Sequence, residues 1–253
     1  MTAPIAVNYR VDGPTDGPVV VLLHAIGTSL QMWAPQVPSL ARDYRLISVD
    51  LRGHGRSPVP AGPYQMADLA GDVTNLLDRL GIERASVCGL SLGGMVALTL
   101  AAASPDRLDR VIAACVVAVP ASPAAWRDRA RAVLAGGSAA VSDLVVERWG
   151  YTNRAPAIAQ IVRDMLAATP PSGYAGCCEA IADMDLRPLL PLITAPTLFL
   201  AGGDDPAAPA SVATEMSATM ADARVVVIEG AAHLTNVEAP SATTDAILEH
   251  LRR

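Results

Sequence analysis

Val87-Cys88-Gly89-Leu90-Ser91-Leu92-Gly93-Gly94-Met95, VCGLSLGGM, places one serine between two glycines, each two positions away. An apolar run from Ala85 to Leu90 precedes it and another, from Met95 to Ala103, follows. A short buried run, a glycine-rich break and a longer apolar run read as strand, sharp turn and helix. A turn this tight strains the serine backbone and brings main-chain segments together, so Gly89 and Gly93 are needed because a Cβ would collide. The turn lifts the Ser91 hydroxyl to the carboxyl edge of a sheet. There the free N–H of Leu92, at the helix start, faces a developing oxyanion. The pattern nominates Ser91 as a nucleophile. Glycine turns also follow strands in proteins without this chemistry, so the reading needs partners.

Outward from this turn, short β-branched runs recur at Val19–His24, Arg45–Asp50, Ala85–Leu90, Arg110–Val117, Thr197–Ala201 and Arg224–Glu229, each a buried-strand candidate. Helical periodicity separates them at Met66–Leu80, Gly93–Ala103, Ser211–Met220 and Ser241–Leu251. Strand and helix alternate, as a parallel α/β sheet requires. From about Ala124 to Asp185 the rhythm breaks into helical patterns around Trp126–Leu134, Val141–Trp149, Ala155–Leu166 and Tyr174–Ile181, with no strand candidate. The expected architecture is therefore a core over 1–120 and 186–253, interrupted by a helical cap over 121–185.

The chain has 253 residues, enough for a large core in one domain, and no apolar run approaches the ~20 residues of a membrane span. The first residues lack a basic start followed by an apolar run, which predicts no secretory signal and a cytoplasmic protein. Cys88, Cys115, Cys177 and Cys178 show no CxxC pairing and no histidine at ligand spacing, so neither a disulfide nor a structural metal is expected. The net charge is −6, and the 19 basic residues, all arginine, are dispersed, which argues against a nucleic-acid partner and for a small molecule.

A serine hydroxyl is inert at neutral pH without a histidine base, itself oriented by a carboxylate, and in this architecture the order along the chain is Ser, Asp, His. Both partners follow strand candidates: AGGDDPAAP after Thr197–Ala201 and EGAAHLTNVEAP after Arg224–Glu229. An acid and a histidine thus end strands on the edge that carries Ser91. Spacing does not choose between Asp204 and Asp205.

With GTSLQMW (27–33), DLRGHGRS (50–57), LLDRLGIERASVCGLSLGGM (76–95), ERWGYT (147–152) and AAHLTNV (231–237), the chain resembles the α/β-hydrolases and, among them, the 3-oxoadipate enol-lactonases, over nearly its whole length. The resemblance implies a mostly parallel eight-stranded sheet flanked by helices and a cofactor-free acyl transfer to water. It implies His233 as the base, by its match to Ala-His-x-x-Asn, and Asp205 as the acid, four residues before Pro209. It places the second oxyanion donor at the backbone N–H of Ile26, in LLHAIGTS, and it makes His54 architectural.

His24 departs from the small polar residue of many enol-lactonases and is expected to brace its loop. Arg148 beside Trp149 in a helical cap reads equally as a surface charge next to a packing anchor; the match of ERW to the segment that covers the site in the enol-lactonases implies that both contact substrate, the arginine through a carboxylate. Asp204 is expected to be a solvated charge, Cys88 a packing residue and His250 exposed. Carboxylesterases and lactonases of other scope, cofactor-free haloperoxidases and a non-catalytic ligand receptor share the scaffold.

Overall fold

Seven strands form one sheet: β1 (Tyr9–Asp12), β2 (Val19–Leu23), β3 (Arg45–Val49), β4 (Ala85–Leu90), β5 (Leu108–Ala114), β6 (Thr197–Gly202) and β7 (Ala223–Ile228). Their order is β1-β3-β2-β4-β5-β6-β7, in a computed structural model that describes residues 2–253. β1 runs antiparallel to β3, and every other pairing is parallel. β4 and β6 are buried at every position, which is why they read as continuous apolar runs without alternation.

Helices α1 (Val37–Leu40), α2 (Met66–Arg79), α3 (Leu92–Ala103), α4 (Pro123–Gly136), α5 (Ser142–Arg148), α6 (Pro156–Ala167), α7 (Pro171–Ala182), α8 (Ala210–Ser217), α9 (Thr235–Glu238) and α10 (Pro240–Leu251) complete the order. Of these, α3 follows the serine turn and buries almost its whole surface at the centre. The stretch between β5 and β6 holds helices and turns but no strand, and within it α4 packs on α7.

The structure differs from the sequence reading at β1, which no strand candidate covered, and in three further respects. The sheet has seven strands among the described residues where eight were expected. Ahead of β1, the backbone N–H groups of Thr2, Ile5 and Asn8 donate to Asp68 Oδ1, Asp72 Oδ1 and Ser57 Oγ, so this segment has no ladder of its own. β5 ends at Ala114 rather than Val117, because Cys115 adopts φ 52° and turns the chain off the sheet. His250 is buried, 2% exposed, on the packed face of α10 with Ile247 and Leu251.

Candidate active site

Ser91 lies between β4 and α3 with φ 54° and ψ −116°, a strained conformation for a residue with a Cβ. Its N–H donates to Ala114 O at 2.8 Å, and its carbonyl accepts from Met95 N–H at 2.9 Å, so the turn is fastened on both sides. The two flanking glycines are obligatory. A Cβ on Gly89 would stand 2.1 Å from Gly93 O, and one on Gly93 2.2 Å from Leu23 O.

His233 follows β7 and Asp205 follows β6, and the sheet brings both to Ser91. His233 Nε2 lies 3.0 Å from Ser91 Oγ, and His233 Nδ1 lies 2.8 Å from Asp205 Oδ2. The carboxylate can only accept, so Nδ1 carries the proton and Nε2 presents its lone pair to the serine hydroxyl. Asp205 Oδ1 accepts from the N–H groups of Ala207 at 2.8 Å and Ala208 at 3.2 Å. Burial alone would raise this carboxyl. The electrostatic pull of His233, its hydrogen bond and the two amides outweigh burial and hold Asp205 below the usual carboxylate range. Asp204, one residue away, points outward, where it is about half exposed and pairs with Arg154. Arg154 also reaches Glu238 Oε1 at 3.0 Å, and Glu238 Oε2 accepts from Ala232 N–H at 2.6 Å, which anchors the histidine loop.

The loop after β2 is prepared in the same way. The amide of Ala25 faces Met32 Sδ, that of Gly27 donates to His54 Nε2 at 2.9 Å, and that of Thr28 donates to Ala25 O at 3.2 Å. The Ile26 N–H has no acceptor in this loop, and neither has the Leu92 N–H at the first position of α3. Ile26 and Ser91 border the same pocket. His24 donates from Nδ1 to Ala25 O at 2.7 Å and accepts from Leu51 N–H at Nε2, 2.9 Å away, so it braces the loop as expected. His54 sits beneath it. Burial, with His24 beside it, pulls His54 down to about 3, so the ring stays neutral and can accept from Gly27.

In front of Ser91 lies a cavity of about 690 Å³, with Met95, Trp126, Arg148, Trp149 and Met216 in its lining. Trp149 is buried, and its ring lies 5.0 Å from that of His233, tilted by 31°. Tyr151 Oη accepts from Leu234 N–H at 2.6 Å, a second tie to the histidine loop. Two guanidiniums flank the Trp126 ring: Arg129 at 4.4 Å and Arg148 at 5.8 Å from its centroid. Neither pairs with a carboxylate among the described residues. Arg129 is 7% exposed, and its Nε and Nη1 have no hydrogen-bond partner. Burial, reinforced by the Arg129 charge, lowers the affinity of Arg148 for its proton.

Cys115 Sγ, an Asp205 oxygen and a His233 nitrogen lie within 4.8 Å of one another. The carboxylate and imidazole there already bond each other, and burial, with Asp205 nearby, pushes the thiol well above its ordinary range. Such a donor set is a hydrogen-bond array rather than a ligand cage.

The family model described as alpha/beta hydrolase fold matches residues 18–143, and one described as TAP-like protein matches residues 178–253. The chain is 35% identical to 3-oxoadipate enol-lactonase 2 of Acinetobacter baylyi, over 98% of this chain and 94% of that protein. The protein belongs to the α/β-hydrolases. It is an ester or lactone hydrolase. The crystal structure of the enol-lactonase from Burkholderia xenovorans superposes on this hydrolase with a TM-score of 0.93 at 40% identity, covering 98% of this chain and 96% of that one. A thermophilic esterase from Thermogutta terrifontis, solved with malate bound, gives 0.91 at 32% identity, covering 97% of this chain and 93% of that one.

Of the residues singled out from the hydrolase sequence, Ser91, Asp205 and His233 are joined by hydrogen bonds, and Ile26, Arg148 and Trp149 line the same pocket. Leu92 is buried at the first position of α3, so only its amide, not its side chain, is available there. Trp126, Arg129, Cys115 and Tyr151 were not singled out. The signal for the first two is Trp-x-x-Arg, which puts tryptophan and arginine on one helix face. No helix of the described residues is long and apolar enough to cross a membrane.

Proposed function

We propose that the hydrolase opens a small lactone bearing a free carboxylate, 3-oxoadipate enol-lactone being the substrate that fits best, through an acyl-enzyme on Ser91. The observation that carries the substrate half of this reading is Arg148, a half-buried guanidinium in the pocket lining that pairs with no carboxylate among the described residues, on the same Trp126 ring as a second unpaired guanidinium, Arg129. A half-buried cation without a counter-ion is costly unless a ligand supplies one, and an arginine fork suits a carboxylate. The names of the enol-lactonase relatives support the same class, as does the malate, a dicarboxylate, in the esterase neighbour.

In this mechanism His233 Nε2 takes the Ser91 proton as Oγ attacks the lactone carbonyl, and Asp205 holds the imidazole in its tautomer and stabilises the imidazolium. The N–H groups of Leu92 and Ile26 receive the oxyanion. Collapse of the tetrahedral intermediate breaks the ring C–O bond, and His233 returns the proton to the leaving oxygen. That oxygen departs as an enol, which tautomerises to a ketone, so this acylation is easier than that of an alkyl ester. Water activated by His233 then releases the acid. The helical segment 121–185 acts as the cap, and Arg148 grips the substrate carboxylate, with Arg129 adding positive charge from the same Trp126 ring, while Trp149 packs the imidazole.

The test is the ratio of kcat/KM for an acidic lactone to that for a neutral ester. Arg148→Ala removes a charge-assisted hydrogen bond worth about 1.5 to 3 kcal/mol, so efficiency toward the acidic lactone falls roughly 10- to 150-fold by the ~1.4 kcal/mol per decade rule. The neutral ester is spared. An unchanged ratio refutes the carboxylate role.

A further inference from the structure

A second cavity, of about 320 Å³, lies at the far edge of the sheet from Ser91; Arg110, Thr197, Asp222, Arg224, His250 and Arg253 border it. Thr197 opens β6, Arg110 and Arg224 stand near the starts of β5 and β7, and α10 with its tail supplies His250 and Arg253. Strands of six or seven residues at ~3.3 Å per residue separate this cavity from the serine edge by ~20 Å.

Its polar inventory is unbalanced. Three guanidiniums meet one lining carboxylate, Asp222, at the exposed rim. Glu249, beside the cavity, takes Arg224 Nη1 at 3.2 Å and Arg253 Nη2 at 3.1 Å. That leaves Arg224 Nε and Nη2, both buried, without a partner among the described residues. These two N–H groups form one edge of the guanidinium, the geometry that grips two oxygens of one anion.

His250 is 98% buried by its 2% exposure, and its Nδ1 has no partner either. Nε2 faces Pro196 O at 3.1 Å, and a carbonyl only accepts, so the proton sits on Nε2 and Nδ1 offers a lone pair. Burial, with Arg224, Arg110 and Arg253 close by, pulls His250 down to about 4, which keeps the ring neutral at physiological pH. The cavity therefore asks for an anion that also carries an acidic hydrogen.

We propose that this cavity is a binding site for inorganic hydrogen phosphate, its oxygens held by the free edge of Arg224 together with Arg110 and Arg253, its P–OH donated to His250 Nδ1. Sulfate carries no proton at neutral pH. A phosphate monoester, with its second ionisation near 6, has also lost its last proton by pH 8, whereas hydrogen phosphate keeps one. Both alternatives leave the His250 lone pair facing a bare oxygen.

Calorimetric titration of the folded protein at pH 8 with inorganic phosphate, sulfate and methyl phosphate tests this. Phosphate binds at least ten-fold more tightly than the other two. His250→Gln, whose amide still donates to Pro196 O, abolishes that preference. Arg224→Gln weakens all three anions while leaving ester turnover at Ser91 unchanged. Asp222→Asn removes the rim carboxylate and tightens all three, a readout that does not depend on changing a buried residue. The proposal is overturned if wild type shows no phosphate binding up to tens of millimolar, or if sulfate equals phosphate. It is equally overturned if binding survives Arg224→Gln and is lost in Arg148→Ala, which places the anion in the Ser91 pocket, or if Asp222→Asn changes nothing.

Discussion

His54 makes the loop that carries Ile26 sensitive to acid, and replacing it with glutamine measures by how much. The ring donates from Nδ1 to Arg52 O at 3.1 Å and accepts the Gly27 N–H at Nε2, so protonation would set one N–H against another inside a fully buried site. Its folded value of about 3 lies below the 6.5 of an unperturbed histidine. Between those limits the unfolded chain binds the extra proton. The contribution is complete above pH 6.5 and is lost as pH falls through the window, with a slope of up to ~1.4 kcal/mol per pH unit. Integrated from pH 7 to pH 4, this amounts to on the order of 3 kcal/mol.

His54→Gln keeps an acceptor for Gly27 and cannot titrate. Urea unfolding followed by tryptophan fluorescence at a series of pH values gives both stability curves, and their difference isolates His54 from the other histidines. The expected difference narrows by about 3 kcal/mol in favour of the variant as pH drops from 7 to 4. Parallel curves would show that His54 is not held neutral by the fold, and the reasoning about this loop would fail.

Other outcomes follow from the same geometry. Asp205→Asn lowers kcat by on the order of 10³ to 10⁴, because an amide that donates to Nδ1 turns the imidazole to the wrong tautomer. Asp204→Asn, which loses only an exposed pair with Arg154, stays within a few-fold of wild type, and steady-state kinetics of the two variants separate them. Gly93→Ala drives a Cβ to 2.2 Å from Leu23 O, a backbone atom with nowhere to move, and the expected outcome in thermal unfolding is a loss of several degrees or insoluble expression. Trp149→Ala removes the ring packed on His233 and leaves a void beside α5, so both kcat and Tm fall, the latter by an amount typical of large core truncations, about 3 to 5 kcal/mol in unfolding free energy.

The strand, turn and helix around Ser91 were legible in the sequence because each of their requirements, a buried run, two collision-avoiding glycines and an apolar helix, leaves a local mark. The pairing of Ser91 with residues 114 and 142 positions away was legible only through chain order and family resemblance. Adjacent aspartates carry no such mark. What separates them is that the Gly202–Asp205 turn aims one carboxylate at His233 and the other at Arg154.

β1 is not marked in the sequence because YRVD is only four residues on a sheet edge, and its alternating Tyr9 and Val11 stay exposed instead of joining the core. The burial of His250 had a sequence signal, its three-residue spacing from Ile247 on an amphipathic helix. Arg129 had only the Trp-x-x-Arg spacing, since an arginine in an arginine-rich helix reads as solvated until α4 is packed against α7.

The central claim, that Ser91 is a nucleophile activated by His233, is tested most directly by reaction with a fluorophosphonate followed by intact-protein mass and peptide mapping. The account predicts one adduct per chain, located on Ser91, absent in Ser91→Ala and strongly slowed in His233→Ala. A folded wild-type protein that remains unlabelled, or one labelled equally well without His233, would contradict it.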